Sequence, residues 1–274
     1  GGTPSILPDV PVGGVLLALF IVAGAAHMTL FKRNMARGKK FIFSGIIFGF
    51  CMTRILATVF RIIWSVYPLS TAFTIVATVM FNAGTVLLYI VNLFLVQRAF
   101  RAHHPYLGWS KPISLAVPVL TAILIGSVIA LIVSSLTAFF LFSSVAAQVA
   151  STVQRLASAI FVFSTLLPGL VCIATTAIPS PSKGIDDFGA GTLLSKWVII
   201  FSGSIVLTLS TTYRATTAFL PSEPSDVPLA PWRSKPAFYT LTFLLELLVT
   251  IFWLVTRIDR RFYVRDGAKG PYSY

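Results

Sequence analysis

Residues 112–137 read PISLAVPVLTAILIGSVIALIVSSLT and hold no charged side chain. A helix that crosses a bilayer needs about 20 mostly apolar residues. This stretch exceeds that need, and it is too long for a strand. Similar runs lie on either side of it. Seven segments qualify as spans: 10–31, 40–66, 71–100, 112–137, 144–178, 192–219 and 236–258. Pro68, Pro105, Pro112, Pro179 and Pro221 punctuate the connections, as residues that end helices. Pro168 falls inside the fifth segment and predicts a kink there.

Composition agrees with this reading. Of 274 residues, 56% are hydrophobic and 11% are charged; mean hydropathy is +0.88. Soluble domains carry about 25% charged residues, so lipid is the expected solvent. The expected fold is all-α: a single seven-helix transmembrane domain over 1–274, with no soluble domain and no internal repeat. The formal net charge of +13 reads as an orientation signal, not as a nucleic-acid surface. Lys32, Arg33, Arg37, Lys39, Lys40, Arg98, Arg101, Lys111, Lys183, Lys196 and the tail cations Arg257, Arg260, Arg261, Arg265 and Lys269 fall on one side. Only Arg233 and Lys235 fall on the other. The basic side is cytoplasmic by the positive-inside rule. Seven spans then place the N-terminus outside and the C-terminus in the cytoplasm, in the plasma membrane or an endomembrane. The tail arginines are expected either to associate with the inner leaflet, with a short helix as one form of that, or to act as plain topogenic charge. Cys51 and Cys172 lie in apolar runs and read as buried thiols.

Four arginines remain inside the spans: Arg54, Arg61, Arg155 and Arg214. Glu246 is the one acid within the seven segments. A charge at mid-bilayer costs at least ~2.5 kcal/mol and needs a partner. At ~1.5 Å per residue, Arg54, Arg155 and Glu246 fall at one depth, and Arg61 and Arg214 are shallower. The first three are too deep to reach water. Arg54 and Glu246 are expected to be coupled, directly or through Arg155. Arg61 and Arg214 are short enough of the surface to snorkel to headgroups. One carboxylate cannot neutralise four guanidiniums, so a bound anion is the functional expectation. Structural ion pairing is the alternative. Gln148, Gln154 and Tyr213 lie in the same outer half and complete the candidate binding set; Tyr67 lies there too. Asn82 and Asn92 read as interhelical hydrogen-bond residues. Gly45 and Gly49 form a GxxxG packing pattern. Trp64, Trp197, Trp232 and Trp253 lie near span ends or in a loop, as an interfacial aromatic belt requires.

No metal site, cofactor or catalytic constellation is legible. His27 stands alone, and His103-His104 has no carboxylate or cysteine at ligand spacing. No nucleophile–base pair and no Walker motif is present, so an enzyme is not expected.

The opening Gly1-Gly2-Thr3-Pro4 with Asp9-Val10-Pro11, then His27-Met28-Thr29 and Phe43-Ser44-Gly45 through Cys51-Met52-Thr53-Arg54, resembles a fungal seven-span family. Its members are often labelled family-C-like G-protein-coupled receptors. The likeness covers nearly the whole chain. Arg54 and Arg61 also resemble the paired arginines on the second span of the RTA-like lipid-translocating exporters. That family's acid after the second arginine has no counterpart in Ile62-Ile63-Trp64-Ser65. Rhodopsin-type D/E-R-Y and N-P-x-x-Y signatures are absent from the sequence. Residues and resemblance together give three readings in descending order, of which the first is the expectation. The first is a receptor-like or sensor-like protein that binds a small amphipathic, anionic ligand in the outer half. The second is a lipid or amphiphile translocator. The third is a membrane-embedded enzyme. Membrane lipids are the expected partners, nucleic acid is not, and a cytoplasmic signalling partner would follow from the receptor reading.

Overall fold

Long apolar runs free of charge satisfy their backbone internally as helices, the only open-chain solution in lipid. The computed structural model describes residues 3–141, 143–177, 186, 188–220, 230–265 and 267–274. Seven helices in it are long and apolar enough to cross a membrane. They are α1 (Ile6–Ala36), α2 (Phe43–Val66), α3 (Thr71–His103), α4 (Lys111–Leu141), α5 (Ser144–Ala177), α6 (Leu193–Phe219) and α7 (Lys235–Val255). The protein is an all-α, multi-pass membrane protein, and no strand occurs among the described residues. A one-turn helix at Pro105–Gly108 follows α3, and α8 (Ile258–Arg261) follows α7. Pro179, Pro221 and Lys183 lie outside the described residues.

The apolar stretch of α3 is 61% buried, against 22% for α4. Accordingly α3 packs on α2, α4, α5 and α6 and occupies the centre. The others follow one another around it in the order α4–α5–α6–α7–α1–α2, with α1 packing on both α2 and α7. Glycines set the closest approaches. A Cβ on Gly84 of α3 would stand 2.1 Å from Thr53 Oγ1 of α2. The GxxxG glycines face two different neighbours: Gly45 meets Phe31 of α1, and Gly49 looks toward Leu87 of α3.

At Pro168 the structure shows a specific device. Pro168 has no N–H to give, which weakens the helix locally. The Ser204 hydroxyl of α6 accepts from the Gly169 N–H at 3.1 Å and donates to the Thr165 carbonyl. Those are the two groups that an uninterrupted helix would join directly. A side chain thus enters the α5 ladder, one of the recognised causes of helix bending.

A π-helical turn, Tyr239–Leu244, widens α7 just before Glu246. Trp253 departs from the expected aromatic belt: it is fully buried. Its position three residues from the end of α7 faces the bundle, beside Gly203 of α6. Cys51 and Cys172 are buried free thiols.

The loop end that includes α8 is closed by the tail. Arg98 donates to the Phe262 carbonyl and lies over the Phe43 ring at 4.6 Å. Arg257 holds Asp259 through Nε at 2.9 Å and Nη2 at 3.0 Å, and Asn34 of α1 adds a third bond at 3.1 Å. Burial would push the Asp259 carboxyl up, but the bonds from Arg257 and Asn34 outweigh it and hold the group below its ordinary value. Arg261 binds the Thr256 carbonyl and Ser195. A short helix does form here, as expected. Arg257 and Arg261, however, engage the protein itself. Lys196, read from sequence as a loop cation, is buried and donates to the Phe188 carbonyl.

Candidate functional site

Two ionic networks lie between α1, α2, α3, α6 and α7, toward the end where α2 turns into α3. The deeper one is built on Arg54. Its guanidinium is fully buried and meets Glu246 in a bidentate pair, Nε to Oε2 at 2.6 Å and Nη2 to Oε1 at 2.9 Å. Nη1 donates to the Phe81 carbonyl at 2.9 Å, and Nη2 also reaches Thr85. The rings of Phe50, Phe81 and Phe243 stand 5.3, 5.0 and 5.3 Å from its central carbon. Carboxylate, carbonyl and aromatic faces together replace the lost hydration of the cation.

Arg214 joins the same network from α6. It donates to Thr85 Oγ1 at 2.8 Å and Asn82 Oδ1 at 2.9 Å, and it stands 3.8 Å from Glu246 Oε1. Thr85 therefore accepts from two guanidiniums, as a hydroxyl with two lone pairs can. Arg214 turns inward and does not snorkel. Its central carbon lies 4.3 Å from the Phe81 ring, so Phe81 is shared between the two cations.

The shallower network is built on Asp9, which is fully buried in the first turns of α1. Arg61 donates to it from Nε at 3.2 Å and approaches it from Nη2 at 3.1 Å. Lys235 and the Tyr239 hydroxyl each donate to it at 2.5 Å. The sequence reading started the first span at residue 10 and so missed this acid. The helical segment spans Ile6–Ala36 but is non-helical at Leu7, so the regular helix starts at Pro8, a first position that needs no N–H, and carries Pro11 inside it. Asp9 corrects the expectation that Glu246 alone serves the arginines, and Arg61 pairs with it instead of snorkelling. Each network holds two cations to one carboxylate, and each keeps an excess of one positive charge.

Between the networks lies a partly enclosed cavity of about 220 Å³, lined by Ala57, Arg61 and Trp64 of α2, Ala77, Thr78 and Phe81 of α3, and Phe238 and Phe243 of α7. Its walls are mainly apolar. The Arg61 side chain keeps 12% exposure, and its central guanidinium carbon lies 4.7 Å from the Phe238 ring. The cavity can take a small molecule with an apolar body and an anionic end.

The structure brings together Arg54, Arg61, Arg214 and Glu246 from the sequence-derived set. It does not bring Arg155, Gln148 or Gln154 to them; these three are exposed on α5. Tyr213 is buried on α6, but its hydroxyl makes no hydrogen bond among the described residues. Sequence reasoning missed Asp9, Thr85, Lys235 and Tyr239. Among the described residues no three His, Cys, Asp or Glu side chains gather as metal ligands would.

Residues 192–263 match a family described as "Protein of unknown function (DUF3112)". That segment carries Arg214, Lys235, Tyr239 and Glu246, hence part of both networks. No curated protein and no solved structure matches the chain.

Proposed function

We propose that this protein is a receptor-like or sensor-like membrane protein that binds a small amphipathic anion in its outer half, within the α2–α3–α7 cavity. The reading rests on a cavity walled by four aromatic residues with Arg61 in its lining, beside two networks that each hold one more cation than carboxylates. An anion seated there offsets positive charge that the protein's own acids leave uncompensated. Arg54 is not a ligand contact in this account. Its donors are engaged by Glu246, Phe81 and Thr85, and it fixes α2 against α3 and α7. The likeness to the fungal receptor-like family agrees with this reading and is part of the proposal.

Translocation of a lipid or amphiphile is the second reading. The cavity is not sealed, which favours it. Phe81 and Phe243 of its wall pack on the buried Arg54, which opposes it. A cavity of about 220 Å³ also suits a small molecule better than a whole lipid.

Thermal unfolding of the protein in nanodiscs tests the proposal. A ligand at 100 times its Kd stabilises by about 2.7 kcal/mol. Decanoate should raise the melting temperature, and decanol at equal membrane loading should not. Equal effects of the two, or none from either, would remove the case for an anion site.

A further inference from the structure

α5 carries a second unassigned feature, on the face turned away from the bundle. Gln148, Thr152 and Arg155 are exposed and follow one another at helical spacing, so they form one polar stripe. The other three intramembrane arginines are each held near a carboxylate. Arg155 has no hydrogen-bond or ion-pair partner among the described residues. The same face continues as Ala159, Phe163 and Leu166, which line a groove of about 620 Å³ with Ala215 and Phe219 of α6. Apart from two threonines, that groove is lined by apolar residues.

An exposed guanidinium on a membrane helix requires an anion or water. Arginine on a helix leans toward the helix N-terminus. On α5 that direction leads away from the groove, toward Thr152 and the α4–α5 turn, so the exposed Arg155 snorkels toward the headgroups, which corrects the expectation from sequence that it lies too deep to reach water. A phosphodiester fits a guanidinium fork as a bidentate acceptor, and an apolar groove beneath it fits an acyl chain. A second copy of this chain is a poorer occupant. Asp9 and Glu246, the carboxylates within the spans, are both fully buried, so a copy would bring another Arg155 and no exposed intramembrane acid.

We propose that the α5–α6 groove seats one anionic phospholipid, its phosphate on Arg155 beside Gln148 and Thr152 and one chain along the groove. This site is separate from the Arg61 cavity and stands or falls independently of it.

Native mass spectrometry of the delipidated full chain, titrated with phosphatidylglycerol or phosphatidylcholine, tests it. Phosphatidylglycerol should bind about tenfold more tightly: both lipids offer a phosphodiester, but the ammonium of phosphatidylcholine already offsets its charge and weakens the charge-assisted bond to Arg155. Arg155→Gln should bring the two lipids to parity, and Arg61→Gln should leave the preference intact. Ala159→Trp, which fills the groove, should lower the first bound equivalent of both lipids. Arg155 is exposed, so Arg155→Gln should melt with the parent. Equal binding of both lipids by the parent would overturn the proposal, as would a preference that survives Arg155→Gln. A protein dimer that disappears in Arg155→Gln would overturn it in favour of a second copy.

Discussion

Arg54 and Glu246 lie 192 residues apart and close α2 onto α7 through two parallel hydrogen bonds of 2.6 and 2.9 Å, both side chains fully buried. Removing one partner of such a pair costs ~3–5 kcal/mol, because the other charge stays buried and unpaired. Glu246→Gln strands both Arg54 and Arg214 and should be the costlier change. Arg54→Gln leaves Arg214 at 3.8 Å to take over the carboxylate. Denaturation of the single and double variants should give a double mutant less destabilised than the sum. Additive losses would mean that the pair is not coupled.

Asp9 predicts a second, independent cycle. Asp9→Asn leaves Arg61 and Lys235 facing each other and should cost ~3 kcal/mol, the low end for a buried pair, since both cations keep some exposure. Tyr239→Phe removes the bond to Asp9 and the bond that the hydroxyl accepts from Arg61 Nε at 3.1 Å, and should cost ~1–2 kcal/mol. Melting curves for Asp9→Asn that match the parent would show that the network adds nothing to stability.

The close approach of α2 and α3 predicts a contrast between two glycines. Gly84→Ala places a methyl against Thr53, and overpacking of this kind costs ~1–3 kcal/mol. Gly126→Ala on α4 meets no atom within 4 Å and should be neutral or stabilising by up to ~1 kcal/mol, from helix propensity. Equal effects would contradict the packing.

Much of this was legible in the sequence, for a physical reason. The span limits at 71, 111, 144, 193 and 219 differ from the sequence reading by a residue or less, because lipid demands long apolar runs and loops collect the charges. Arg54 and Glu246 were matched by depth alone, since rise per residue is fixed. Depth says nothing of the face a side chain takes. For that reason depth groups Arg155 with Arg54, although Arg155 is exposed on α5 and Arg54 is buried. Asp9 escaped because two prolines beside it read as a loop. Tyr239 and Thr85 escaped because a hydroxyl on an apolar helix carries no signal of its partner.

The tail adds a pH prediction. The Asp259 carboxyl is held below its ordinary value of 3.8 by Arg257 and Asn34. A depressed carboxyl contributes stability in full above 3.8 and loses it as the pH falls through the lower folded value. Melting temperature should therefore fall more steeply below about pH 4 in the parent than in Asp259→Asn. Parallel curves would place Asp259 outside the folded network.

The charge bias predicts orientation. Leu69→Cys, at the 97% exposed α2–α3 turn, should react with an impermeant thiol reagent on intact cells. Arg37→Cys and Lys269→Cys should be shielded until the membrane is opened. Labelling of Arg37→Cys from outside would reverse the topology.

The cavity beside Arg61 is proposed to take an amphipathic anion, and Trp64 in its wall is placed to report on it. A medium-chain carboxylic acid brominated at its tail should quench Trp64 emission saturably. A Trp64→Phe control isolates that residue's share of the signal. The brominated alcohol of the same length should quench weakly and without saturation, and Arg61→Gln should reduce the acid to the alcohol's behaviour. Identical quenching by acid and alcohol, or saturable quenching by the acid that persists in Arg61→Gln, would contradict the account.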